Sequence, residues 1–185
     1  AAALFLLATA AHPTAGSGGH SLALLARDLA AISVLIVVFV IDLRHFLIFD
    51  VVTLPAAGVL LAVNLALGLP WPSLLLGGIL GAGFFLLQYL LSRGRWIGGG
   101  DIRLGLLMGV LLGWERLLAA LFMAYAVGAV VGMVLLATRR KSPSSPVPFG
   151  TFLSVGTIAA LLYGSELITW YGKGLPQLLG QWLGI

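Results

Sequence analysis

The sequence contains no cysteine, which excludes disulfides, thiolate metal sites and a cysteine nucleophile. Charge is scarce as well: Asp, Glu, Lys and Arg make up 9% of the 185 residues, against 61% hydrophobic. A soluble domain carries about a quarter charged residues, so a water-exposed globule is excluded. The strict apolar–polar alternation of a membrane barrel strand is missing too. No soluble-type repeat is present, and the only biased stretch is a Ser/Pro segment ending at Pro148. The first apolar run has no basic region in front of it, so it does not read as a signal peptide. It opens directly at Ala1, and we expect a truncated or processed amino end.

What is present is a series of continuous apolar runs, with a mean hydropathy of +1.12. Runs of about twenty apolar residues make lipid the solvent, and lipid admits only helices or closed barrels. The expected fold is therefore all-α, a polytopic transmembrane helix bundle of six to seven membrane segments forming a single membrane domain over residues 1–185. Segments are expected over 1–11 (too short to span), 21–43, 51–69, 73–91, 101–114, 115–138 and 149–170. A tail over 175–185 mixes Leu and Trp with Gln and Gly and suits the membrane interface. His12 and His20 read as loop residues.

The formal net charge is +4. In this composition basic residues set membrane orientation rather than bind nucleic acid. Seven of the ten Lys and Arg residues fall on one face if each segment crosses: Arg44, Arg93, Arg95, Arg103, Arg139, Arg140 and Lys141. Arg27, Arg116 and Lys173 fall on the other. The bias puts the first face in the cytoplasm, where Arg93, Arg95, Arg139, Arg140 and Lys141 read as topology determinants that bind anionic lipid. The segment after Asp101 spans about 21 Å at 1.5 Å per residue. It crosses only if its Gly-rich start dips into the bilayer as a re-entrant feature, which requires surrounding protein or water. Trp71, Trp96, Trp114, Trp170 and Trp182 fall mostly at segment ends, as an interfacial belt places them.

Six acids occur: Asp28, Asp42, Asp50, Asp101, Glu115 and Glu166. Asp42 ends one apolar run and Asp101 begins another, at similar depth on the same face. Acids inside a membrane are costly and default to function. Two facing carboxyls do not readily ionise together, so the pair offers a base and an acid at once. The base activates a water against a peptide carbonyl, and the acid polarises that carbonyl and then helps the amine leave. Neither a metal nor a covalent nucleophile is required. On the residues alone, a bland alternative stays open: each Asp caps a helix or pairs with Arg44 or Arg103, and Asp101 suits a cap in particular. His45, three residues after Asp42, reads as an interfacial polar residue or as a group that tunes Asp42. Glu115 suits a cap, and Glu166 has no assigned role.

Gly77, Gly78, Gly81, Gly83, Gly128 and Gly132 read as sites of close helix approach. Gly98, Gly99 and Gly100 differ because they directly precede an acid. They permit unusual dihedrals and leave bare backbone for a substrate strand.

Three stretches carry a family resemblance. Ile41-Asp42-Leu43-Arg44-His45-Phe46-Leu47-Ile48-Phe49-Asp50-Val51-Val52-Thr53-Leu54-Pro55 resembles the first aspartate motif of the type IV prepilin peptidases, members of the GxGD membrane proteases. In that motif an Asp is followed by Ile/Leu-Pro-Asp/Asn and Thr-Leu-Pro. Gly98-Gly99-Gly100-Asp101-Ile102-Arg103-Leu104, trailed by Gly109 and Leu112-Gly113-Trp114, is similar to the GxGD-Ile-Lys-Leu segment. Val147-Pro148-Phe149-Gly150-Thr151-Phe152-Leu153 resembles the Pro-Phe-Gly-Pro segment. The order and spacing hold over about 41–164, within a peptidase core of about 30–165.

The resemblance implies an aspartic endopeptidase of the bacterial inner membrane. Such enzymes remove a short basic leader from type IV prepilins or pseudopilins at the cytoplasmic face, in pilus or type II secretion systems. Asp42 and Asp101 would be the catalytic pair. Asp50 would be a neighbour and the fallback partner, and Gly98, Gly99, Gly100, His45 and Arg103 would shape the site. The partners implied are a pilin-like helix and membrane lipid. Phe49 stands where the family often has Pro, Thr151 replaces the second Pro of the third motif, and Arg103 replaces Lys. Many members carry a four-cysteine segment and also methylate the new amino end. This sequence has no cysteine, and S-adenosylmethionine enters only if methylation is present. A small proton-coupled transporter and a non-catalytic membrane scaffold are the competing readings.

Overall fold

A computed structural model describes residues 18–138 and 148–169. Five helices make up the described chain: α1 (Gly18–His45), α2 (Asp50–Ala66), α3 (Trp71–Ser92), α4 (Gly99–Ala137) and α5 (Phe149–Thr169). Three stretches are long and apolar enough to cross a membrane, Leu22–His45, Trp71–Ser92 and Gly99–Leu135. Asp50–Ala66 and Phe149–Gly164 are shorter apolar helices. The chain is a polytopic helical membrane protein. Large apolar side chains such as Ile79, Leu91 and Phe122 point outward, as expected where lipid rather than water covers the surface. The segments expected over 1–11 and 175–185, most of the Ser/Pro stretch, His12, Trp170 and Trp182 lie outside the described residues. His20 falls within α1 rather than in a loop.

α4 is the central element, packing against α2, α3 and α5, while α5 also packs on α1. Leu104, Leu107, Met108 and Leu111, all on its first arm, are fully or almost fully buried. The two segments expected on either side of Trp114 form one helix interrupted at Gly113, whose φ of 76° and ψ of 170° are not helical. Left-handed φ favours glycine, and a Cβ here would also lie 2.6 Å from Ser73 Oγ.

α3 and α4 cross at backbone contact. A Cβ added at Gly81 would sit 2.1 Å from the Gly105 carbonyl oxygen, and one at Gly109 would sit 2.0 Å from that of Gly77. Gly77 and Gly81 on one helix thus face Gly105 and Gly109 on the other, a reciprocal small-residue seam of the kind membrane helices use. Gly78 joins this seam through Val110 and Leu106. Gly83 and Gly132 do not share the role, since nothing lies within 4 Å of a Cβ at either, and Gly128 makes only an ordinary contact with Phe152.

A buried polar cluster fastens the opposite end of α1. Arg27, counted above on the less basic face, is 5% exposed. It pairs with Asp28 and donates from Nη1 to Asn64 Oδ1 at 3.0 Å. Asn64 in turn donates to the carbonyls of Val110 and Leu111 at 2.8 and 3.2 Å. A buried charge needs such partners. The cluster ties α1 and α2 to α4 just before its interruption at Gly113.

Candidate active site

Where α1 and α3 end, α2, α4 and α5 begin, and all three carry acids or their donors in the first turn. Asp42 lies three residues from the end of α1, Asp50 opens α2, Asp101 is the third residue of α4, and Thr151 is the third of α5. A helix start offers free N–H groups and the positive end of the macrodipole. The first turn of α5 supplies such an N–H to Asp42, and Gly98, the residue before α4, supplies one to Asp101.

Asp42 is 4% exposed. Its Oδ2 accepts from the Thr151 N–H at 2.7 Å and from the Thr151 hydroxyl at 3.1 Å. The Gly150 backbone contributes as well. Gly150 is there because nothing larger fits: a Cβ would lie 3.0 Å from Asp42 Oδ2 and 2.8 Å from Ile48 Cδ1. Asp101 is 6% exposed, and its Oδ2 accepts from the Gly98 N–H at 2.9 Å. This is the back-reaching half of a capping box, so the helix-capping role anticipated for Asp101 is real. Ile48, in the turn between α1 and α2, lies against both helix starts, since a Cβ at Gly100 would be 2.7 Å from its own Cβ. The structure thus brings the two buried acids, from distant parts of the chain, to one end of the bundle.

The glycine run works differently from expectation. None of Gly98, Gly99 and Gly100 is among the positive-φ residues, so no special dihedral is being used. Gly100 is required by the approach of Ile48, Gly98 supplies an N–H, and Gly99 faces open space.

The alternative ion pairs are not the ones formed. Arg103 reaches Asp50 at 2.5 Å rather than Asp101, with both side chains nearly half exposed. It forms a rim strap between α2 and α4. His45 and Arg44 are exposed at the end of α1, while Asp42 turns inward to Thr151. Phe49 takes the N-cap of α2 in extended conformation. Its carbonyl accepts from the Thr53 N–H at 3.1 Å, so the missing Pro costs the turn nothing visible. Glu115 and Glu166 lie exposed, away from this end.

Comparison with known proteins gives the family. The model of the type IV leader peptidase family matches residues 29–133, a stretch that holds both acids. The chain belongs to that family. It is 35% identical over 143 residues to the prepilin leader peptidase/N-methyltransferase of Bacillus subtilis, covering 77% of this chain and 57% of the relative. It is 32% identical over 161 residues to the protein of the same name from Legionella pneumophila, covering 84% and 53%. The Pseudomonas aeruginosa relative, again of that name, is 30% identical over 142 residues, covering 74% and 49%. The chain spans about half the length of the curated relatives it matches. No solved structure matches it.

Sequence reasoning registered Thr151 only as a departure from the leader peptidase pattern. Its contribution depends on that departure, because Pro has no N–H to give Asp42. Gln88 and Tyr125 were missed altogether. The Tyr125 hydroxyl donates to Gln88 Oε1 at 3.0 Å, and its ring meets that of Phe149 edge-on at 5.0 Å. The only sequence signal was a lone Gln in an apolar run.

Proposed function

We propose that this chain is a membrane-embedded aspartic endopeptidase, with Asp42 and Asp101 as its catalytic pair, which removes a basic leader from prepilin- or pseudopilin-like substrates. The observation that carries the reading is two buried acids at one end of the bundle, each held by donors from a helix start. Asp50 and Arg103 form a rim beside the pair, and the exposed His45 belongs to the same rim. The Arg residues at that end, Arg44, Arg93, Arg95 and Arg103, support a cytoplasmic orientation of the acids, and the family supports a bacterial inner membrane as the setting. The proposed reaction shares one proton between two carboxyls. The ionised one takes a proton from water as the oxygen attacks the scissile carbonyl, and the protonated one donates toward the carbonyl oxygen and then the leaving amine. Burial excludes bulk water and strengthens both interactions.

The relatives' names pair the peptidase with an N-methyltransferase, whose methyl donor is S-adenosylmethionine. N-methylation of the new amino end, with S-adenosylmethionine as the donor, is a second activity that the relatives' names suggest, and the mass of the cleaved product reads it.

The test is cleavage of a synthetic leader-bearing peptide by the purified chain in detergent or nanodiscs, with the product identified by mass. Cleavage at one bond after the basic leader supports the reading, and an intact peptide rejects it. Thr151 gives a graded version. Thr151→Val keeps the shape and the N–H but loses the hydroxyl donor to a charged acceptor, so kcat should fall about tenfold with KM little changed. Thr151→Ser should restore it.

A further inference from the structure

The interruption of α4 at Gly113 is a reversal of the chain. Gly81 of α3 faces Gly105 before it and Leu117 after it, and Gly77 faces Gly109 before it and Trp114 after it. The Tyr125 hydroxyl then meets Gln88, further along α3. The first arm of α4 thus runs antiparallel to α3, and the second arm runs back beside it. The first arm therefore has a true carboxyl end, whose last four carbonyls lack partners within the helix.

Asn64 of α2 meets two of them. Its Nδ2 donates to the Val110 and Leu111 carbonyls, while its Oδ1 accepts from Arg27 Nη1. Chemistry fixes both ends of this amide, because a guanidinium only donates and a carbonyl only accepts. Arg27 is held in turn by Asp28, with Nε donating to Oδ1 at 2.7 Å. Asp28 and Asn64 are fully buried. α1 packs on α2 and α5 but not extensively on α4, although α1 carries Asp42 and α4 carries Asp101. The network gives these two helices a polar tie through α2.

Stability alone does not explain the network. Exchanging buried ionic groups for apolar side chains of like volume is often neutral or stabilising, and the best-attested use of such groups is to fix register. The glycine seam and the buried leucines already pack the first arm. Apolar contacts are non-directional, however, and do not set how far one helix slides along another. The directed bonds from Asn64 do. Asp101 lies nine residues before Val110, about 14 Å at 1.5 Å per residue, so a shift at the capped end is carried to the acid.

We propose that Asn64, braced by Arg27 and Asp28, is a positioning residue that holds the first arm of α4 at the reach that sets Asp101 opposite Asp42. It touches neither acid and acts from the other end of the bundle. This rests on the acid pair of the peptidase reading.

The experiment reads position without turnover, in the full chain in nanodiscs. With Asp42→Cys and Asp101→Cys in place, the rate at which a short bifunctional thiol reagent links the two positions is measured with and without Asn64→Leu. That change removes the cap and leaves Arg27 its pair with Asp28, and linking should slow about tenfold. Arg27→Lys keeps the charge but lacks the fork that serves Asp28 and Asn64 together. It should slow linking to a lesser degree, and it decides the matter if Asn64→Leu does not fold. A control chain with Gln88→Cys and Tyr125→Cys, which reports α3 against the second arm, should link at one rate throughout. With the native acids, Asn64→Leu should lower kcat about tenfold with KM little changed. Unchanged linking between 42 and 101 overturns the inference. So does a slowing shared equally by the control pair, which marks general loosening, and so does a failure to link with the network intact. Failure of the native chain to cleave peptide, with linking that still depends on Asn64, counts against the peptidase reading alone.

Discussion

Gly109→Ala should unfold or misassemble the bundle, although the substitution adds one methyl group and raises helix propensity. The added Cβ would lie 2.0 Å from the Gly77 carbonyl oxygen and 2.2 Å from its carbon. Both are backbone atoms, so no rotamer change relieves the clash, and α3 and α4 must separate. Overpacking a core costs about 1–3 kcal/mol when side chains can yield, and here the cost should lie at or above the top of that range. Gly81→Ala, which meets the Gly105 carbonyl at 2.1 Å, should behave alike. Gly83→Ala and Gly132→Ala serve as controls. Nothing lies within 4 Å of either Cβ, so each should be neutral or stabilise by up to about 1 kcal/mol. Thermal unfolding in detergent reads all four. A tolerated Gly109→Ala would mean that the helices do not cross at backbone contact. Because α4 carries Asp101, this seam also sets the position of one of the two acids.

Asp42→Asn and Asp101→Asn should each lower peptide cleavage by about 10²–10⁴-fold, the span that a positioned acid or base contributes. Both amides keep the shape of the side chain. An Asn oxygen at 101 still accepts from the Gly98 N–H, and one at 42 still accepts from Thr151, so folding should survive and the loss should report chemistry. Asp50→Asn distinguishes the pair from its neighbour. Asp50 is committed to Arg103 on a half-exposed rim, where such pairs are worth about 0–1 kcal/mol, and its substitution should leave most activity in place. A large loss at Asp50 with little at Asp42 would move the pair onto the fallback partner.

The helices were readable because lipid requires continuous apolar runs, and the expected segments fall on α1 to α5 with ends a few residues off. Asp42 and Asp101 stood out because acids are rare in such runs and their runs end on one face. The contacts that hold them were not readable. Thr151 reaches Asp42 across 109 positions of sequence, and no local pattern announces it. Likewise Gly77 and Gly81 were recognised as small residues, but their partners Gly105 and Gly109 emerge only when two helices are placed side by side. Arg27 was placed by its charge on the face opposite the acids, but its burial beside Asn64 and Asp28 shows only in the fold.

The absence of native cysteine offers a direct check on the meeting of the two acids. In an Asp42→Cys/Asp101→Cys double variant, a short bifunctional thiol reagent should join the two positions within one chain. Mass spectrometry of the digested protein would then find the peptides around 42 and 101 linked, in high yield and without added substrate. Two cysteines that each take up reagent singly and never link would contradict the account.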